Sequence, residues 1–437
     1  MSNGHIILNK SSELHGTIEL TGAKNAVLVI IASLILANGK SVLENVPNSA
    51  DVQQMIALLT DLGAQINFDI EKNRLEVDTS TINRFEVKQE IMNKMRASIL
   101  VMGPLLARFG RAKVALPGGC LIGARPINYH LVGFKRMGVS LEEAGAFLNA
   151  VLSSQHTMQS HNRIILEYPS VGATENLMMF ATLVPGETYI INAALEPEVL
   201  DLVDVLRKMG AKIEICDGMI IRIKGVDKLN PINHSVIPDR LEAGALLLAA
   251  CITKGQINLP TARADHMDIF IEKLREMGHE VTTGTNPSSE LGYNMHQGIT
   301  AKATKFPKAV SFKTGPYPGF PTDLQAPTMA ALCIADGVSI VEETVFENRM
   351  MHGQELQKMG AQISIDRTHA TIRGVEMLYG AEVIATDIRA SCALVLAGLV
   401  AVSQTKITGI HHWRRGYEKL ERKIKLLGGN IEIFDEE

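Results

Sequence analysis

The stretch "VLRKMGAKIEI", residues 205–215, reads as the last turn of an amphipathic helix, a Met-Gly stop and an alternating strand. Five further stretches share the form: "LLTDLGAQINF" (58–68), "FKRMGVSLEE" (134–143), "KLREMGHEVTT" (273–283), "ELQKMGAQISI" (355–365) and "KIKLLGGNIEI" (423–433). Their glycines, Gly63, Gly138, Gly210, Gly278, Gly360 and Gly428, lie 68 to 82 residues apart. Glycine at that point suits a helix C-cap, where the chain needs a left-handed residue before it turns into a strand. Self-similarity in a fixed phase marks a repeated architecture.

A second element recurs in the same phase: a very apolar helix, a Gly-containing turn and a strand. Its copies start at "GAKNAVLVIIASLILANGK" (22–40), "MRASILVMGPLLARFG" (95–110), "GATENLMMFATLVPG" (172–186), "DRLEAGALLLAACITKG" (239–255), "TDLQAPTMAALCIADG" (322–337) and "TDIRASCALVLAGLVA" (386–401). Each is too apolar for a surface helix and is expected to be buried. Six units of two helices and several strands predict an α/β chain of two lobes with three units each. The least repetitive junction, "GVDKLNPINHSVIPDR" (225–240), holds two prolines and is where the linker is expected.

With 46% hydrophobic residues in 437, the chain can fill large cores, and its net charge of −4 gives no basic surface for nucleic acid. "AVLVIIASLILA" and "CALVLAGLVAV" are shorter than the roughly 18–20 residues of a membrane span. "MSNGHIILNKSSELHG" lacks the zones of a signal peptide, so a cytoplasmic location is expected. The five cysteines are sparse, odd in number and without a C-x-x-C pair, which argues against disulfides and a zinc site. Cys251, Cys333 and Cys392 fall in the apolar helices and read as small core residues, and Cys216 reads as a strand end. Cys120, in "LPGGCLIGARPINYH" (116–130), follows two glycines and precedes Arg125. A space-filling thiol does not need so flexible a setting, and nearby cations make a thiol more reactive.

All six apolar helices begin with polar residues: Lys24 and Asn25; Arg96 and Ser98; Glu175 and Asn176; Asp239, Arg240 and Glu242; Asp323 and Gln325; Asp387 and Arg389. Capping accounts for many of them, Asp239, Asp323 and Asp387 especially. It does not account for Lys24, Arg96 and Arg389, because a cation at a helix start opposes the dipole. Placed at equivalent repeat positions, these cations predict an anionic ligand shared between the lobes. Arg414 and Arg415, in "WRRGYEKLERK", add charge near the C-terminus, and Gly416 points to a helix beginning at Arg415. A flexible thiol with several arginines and one carboxylate, Asp323, fits acid–base or covalent chemistry on a phosphorylated substrate. Phosphate-loop, dinucleotide and metalloprotease motifs are absent. His411 and His412 are adjacent, so on a strand they face opposite ways and make no metal pair. Neither a cofactor nor a metal is expected.

"LTGAKNAV", "MRASI", "LPGGCLIGARPINYH", "PSVGATEN", "FPTDLQA", "ETVFENR", "ATDIRAS" and "RRGYEKLE" resemble the UDP-N-acetylglucosamine 1-carboxyvinyltransferases of the enolpyruvyl transferase family, in order from about residue 5 to residue 434. The resemblance implies a two-lobed inside-out α/β barrel of six βαβαββ-type repeats. Residues 1–22 plus 236–437 would form the C-terminal lobe, and 23–235 the N-terminal lobe with its loop at 116–126. It implies enolpyruvyl transfer from phosphoenolpyruvate to the 3-hydroxyl of UDP-N-acetylglucosamine, the first committed step of peptidoglycan synthesis; separately, two large cores need no partner, so a monomer is expected. In that scheme Cys120 is the acid that protonates the methylene carbon and can form an adduct, on a loop that closes over the cleft. Asp323 takes the hydroxyl proton, and Lys24, Asn25, Arg125 and Arg415 hold phosphoenolpyruvate. Asn25, Arg96, Arg125, Pro126, Ile127, Asn128, Tyr129, Ser170, Val171, Gly172, Asp323 and Val345 line the nucleotide-sugar site, with Arg349, Asp387 and Arg389 in support. The chain departs from the family pattern at Ala50 and Leu195, where basic residues are common, and at Tyr168, a variable position. Two other readings are a shikimate-pathway enolpyruvyl transferase, against which the loop cysteine speaks, and a catalytically silent UDP-sugar-binding paralogue.

Overall fold

A computed structural model describes residues 4–92, 95–115, 127–153, 161–284 and 297–435. Six apolar helices lie in the cores of two units: α1 (Lys24–Ser33), α2 (Met102–Phe109) and α3 (Val171–Ala181) in one, α4 (Arg240–Ile252), α5 (Gln325–Leu332) and α6 (Ile388–Val400) in the other. They are largely apolar because most of their surface is buried; in α4 every residue from Leu241 to Ile252 is buried. Cys251, Cys333 and Cys392 are buried as expected, and Cys216 ends the strand Lys212–Cys216.

Six small sheets surround these helices, five of four strands and one of three. Five of the repeats run β-α-β-α-β-β, the second lacks the first strand among the described residues, and in every sheet the last strand of the repeat lies between the other two strands of its β-α-β-β part. In the third repeat, for example, Glu187–Ile191 pairs in parallel with His161–Ile165 and antiparallel with Ile220–Lys224, which pairs with Lys212–Cys216. The parallel pair is the one joined by the buried helix, as a crossover connection requires. All six C-cap glycines adopt a left-handed backbone, with φ between 85° (Gly138) and 109° (Gly210). The sixfold α/β repeat expected from the sequence is the fold.

Three repeats borrow a strand from elsewhere in the chain. Asn233–Ser235 pairs with Lys40–Glu44 and completes the first sheet, while His15–Thr17 pairs with Gln256–Arg263 and completes the fourth. His5–Leu8 lies between Thr405–Thr408 and Ile431–Phe434 in the last sheet. The chain divides into two compact units. Of the described residues, one takes those up to Thr21 and from Pro238 onward, and the other takes those between Gly22 and Ile237. Each has its own core. Among the described residues, no helix is long and apolar enough to cross a membrane.

Candidate active site

In the unit beginning at Pro238, Asp323 sits in a short 3₁₀ turn, Thr322–Leu324, ahead of α5. Its side chain does not cap that helix. One oxygen accepts from Arg349 Nη2 at 2.6 Å and the other from Arg389 Nη2 at 2.8 Å. Both arginine side chains are buried, at 5% and 4% exposure, while Asp323 keeps 23%. Burial opposes ionisation of Asp323, but Arg389 and Arg349 more than offset it and hold the carboxyl well below its usual range. By contrast, Asp239 and Asp387 do cap: Asp239 accepts from the amides of Leu241 and Glu242, and Asp387 from those of Arg389 and Ala390. The position of Arg389 in the first turn of α6 is therefore explained by Asp323, whose charge outweighs the dipole.

A second buried carboxylate, Glu343, organises the same region and was not singled out in the sequence. It accepts from Thr314 Oγ1 at 2.9 Å, Thr322 Oγ1 at 2.8 Å, and the amides of Val345 at 2.8 Å and Phe346 at 3.2 Å. Thr322 in turn accepts from Arg349 Nη1 at 2.9 Å. The backbone at Val345 and the turn carrying Asp323 are thus pinned to one group.

In the other unit, Lys24 opens α1 and pairs with Asp51 at 3.4 Å, both buried. Asp51 lies in the first turn of helix Ala50–Leu62, where its charge also suits the dipole. Nothing in the local sequence distinguishes it from an ordinary first-turn acid. Asn25 follows Lys24 and is partly exposed. Arg96 begins a 3₁₀ segment, Arg96–Val101, that leads into α2 rather than the helix itself. Ile127, Asn128 and Tyr129 start helix Asn128–Arg136, and Ser170, Val171 and Gly172 start α3, with Ser170 as its cap. The two starts come side by side: a Cβ on Gly172 would lie 3.5 Å from the His130 ring, and His130 Nδ1 is 3.1 Å from Asn176 Nδ2. Cys120, Arg125 and Pro126 lie outside the described residues.

Two sequence expectations are corrected. Arg415 closes a helix, Ile410–Gly416, instead of starting one, and a cation in a last turn suits the dipole. Gly416 is required by close packing, since a Cβ there would stand 2.2 Å from Ile388 Cγ2. His411 and His412 lie on that helix, not a strand, with ring centroids 4.0 Å apart. Partial burial, His411 and Arg415 lower His412 to about 4. Elsewhere Asp201, Asp204 and His234 come together, with the Lys208 ammonium 2.6 Å from Asp204 and 3.1 Å from His234 Nδ1. Near Leu195, burial and the neighbouring Glu198 and Glu196 push Glu175 well above the carboxylate range.

Residues 8–424 match the family profile described as EPSP synthase (3-phosphoshikimate 1-carboxyvinyltransferase). UDP-N-acetylglucosamine 1-carboxyvinyltransferase from Finegoldia magna is 45% identical over 430 residues, covering 98% of this chain and 99% of the relative. The chain belongs to the enolpyruvyl transferase family. A relative of the same name, numbered 1, from Caldanaerobacter subterraneus is 46% identical over 425 residues, covering 97% of this chain and 98% of its own length. Among solved enolpyruvyl transferases, NikO from Streptomyces tendae superposes with a TM-score of 0.87 at 22% identity, over all of both chains. EPSP synthase from Acinetobacter baumannii superposes with a TM-score of 0.77 at 16% identity, over 99% of this chain and all of that one. At those identities the two structures speak for the fold alone.

Proposed function

We propose that this enolpyruvyl transferase moves the enolpyruvyl group of phosphoenolpyruvate to the 3-hydroxyl of UDP-N-acetylglucosamine, releasing phosphate, in the first committed step of peptidoglycan synthesis. The observation that carries the reading is full-length identity of 43–46% to relatives named for that reaction. The shikimate-pathway reading is not favoured, because the relatives at 43–46% identity are named for the UDP-sugar reaction. Buried, unpaired thiols at Cys251, Cys333 and Cys392 support a reducing, cytoplasmic setting.

In this reading Cys120 donates a proton to the methylene carbon of phosphoenolpyruvate. Positive charge then develops at C2, and the sugar hydroxyl attacks there. Lys24, Arg125 and Arg415 hold the phosphate and carboxylate, Ile127–Tyr129, Ser170–Gly172 and Val345 bind the nucleotide sugar, and Asp323 receives the hydroxyl proton. The weak basicity of the Asp323 carboxylate fixes the order of events. Arg389 and Arg349 hold Asp323 below even an ordinary carboxyl, so it is far too weak a base to take the proton from a free sugar hydroxyl before attack. Once the C–O bond forms, the oxygen carries positive charge and a weak base suffices. Proton transfer to Asp323 therefore accompanies or follows attack. Loss of phosphate and of a proton from the former methylene carbon then restores the enol ether.

The test is phosphate release from phosphoenolpyruvate, with and without UDP-N-acetylglucosamine, in wild type and Cys120→Ala. Release that needs both the sugar nucleotide and the thiol supports the reaction and its acid. A folded wild type that binds UDP-N-acetylglucosamine yet releases no phosphate refutes the transferase in favour of a silent sugar-binding protein.

A further inference from the structure

Behind Asp323 a line of buried polar groups continues that the proposed reaction leaves without a role. Arg389 divides its guanidinium, with Nη2 on Asp323 and Nη1 donating to Tyr417 Oη at 3.0 Å. Tyr417 is buried, with its ring 5.1 Å from the Trp413 ring, and its hydroxyl also hydrogen-bonds the Cys392 thiol. It follows Gly416 directly, two residues after Arg415, so one phenol ties the end of that helix to the first turn of α6.

The two arginines that grip Asp323 are anchored by different means. Arg349 is locked through Thr322 onto the four-bonded carboxylate of Glu343. Arg389 rests on Tyr417, and at 3% exposure it cannot exchange that acceptor for bulk water. A guanidinium presents a rigid fork, so fixing one Nη fixes the direction of the other. The chemistry of the acceptor matters as well. A carboxylate at Tyr417's place would compete for the charge of Arg389, whereas a neutral phenol orients the fork and leaves that charge to Asp323. Burial keeps the phenol neutral by raising it well above its ordinary value.

We infer that Tyr417 is a positioning residue: through Arg389 it sets the angle at which Asp323 is held, and so aims the carboxylate lone pairs that receive the hydroxyl proton. The inference rests on the role of Asp323 proposed above.

Tyr417→Phe keeps the ring and deletes only the oxygen. It is expected to lower kcat tenfold or more, because sub-ångström placement of a reacting group controls the rate. KM for UDP-N-acetylglucosamine should stay within twofold. A change that merely loosened the core would not separate kcat from KM in this way. The decisive measurement is a double-mutant cycle with Arg389→Lys, which retains charge but loses the fork. In that background Tyr417→Phe should cost less than a further twofold. A Tyr417→Phe kcat within twofold of wild type, or losses that multiply in the double variant, overturns the inference. If Tyr417→Phe does not fold, Arg389→Lys alone must lower kcat at least tenfold with KM unchanged, and a wild-type kcat there refutes it. Failure of wild type itself to join the two substrates refutes the reaction instead, so the two failures are distinguishable.

Discussion

Asp323→Asn preserves the shape of the side chain and removes the one charge between two buried guanidiniums. The amide oxygen can serve Arg349 or Arg389, but its NH₂ then faces donors at the distances of 2.6 and 2.8 Å now bridged by the carboxylate. Removing one partner of a buried ion pair costs about 3–5 kcal/mol. Asp323 is 23% exposed, so water offsets part of that loss and about 2–4 kcal/mol is expected. For a unit of this size that lowers Tm by on the order of 10 °C. The assay is urea unfolding followed by fluorescence of Trp413, the single tryptophan, which stands against Tyr417. The sign with pH follows from the depressed carboxyl. Its contribution is complete above the unfolded pKa of about 3.9 and is lost as pH falls toward the folded value. The stability gap between wild type and variant should be flat from about pH 5 to 8 and shrink below about pH 4. Equal stabilities at neutral pH, or a gap that widens in acid, would refute the clasp.

Gly416→Ala would place a methyl 2.2 Å from Ile388 Cγ2, one residue before Arg389. Overpacking of this kind costs about 1–3 kcal/mol and should depress kcat with it; a thermal melt and a rate matching wild type would show that the helix end can move freely. In Cys120→Ala, a thiol-alkylating reagent at neutral pH should add once, at partly exposed Cys216. Burial raises Cys251 and Cys333 to about 12 and Cys392 to about 11, so mass spectrometry should find all three unmodified in the folded protein.

The sequence by itself determined the parts that rest on local or periodic signals. Six apolar runs became six buried helices, since a helix without a polar face has nowhere else to go. Six glycines became six left-handed caps, since few other residues adopt that backbone cheaply. The chemically unusual cations, Lys24 and Arg389, were also legible, because each breaks the dipole rule of its helix. Tertiary structure decided what depends on partners distant in the chain. His5–Leu8, His15–Thr17 and Asn233–Ser235 complete sheets whose other strands lie far along the chain, and such pairings leave no mark on neighbouring residues. The role of Asp323 was ambiguous for the same reason. Asp239, Asp323 and Asp387 occupy equivalent positions before apolar helices, yet two cap and one is held between arginines 26 and 66 residues away. An aspartate offers the same oxygens to an amide or a guanidinium, and only the folded chain decides which arrives.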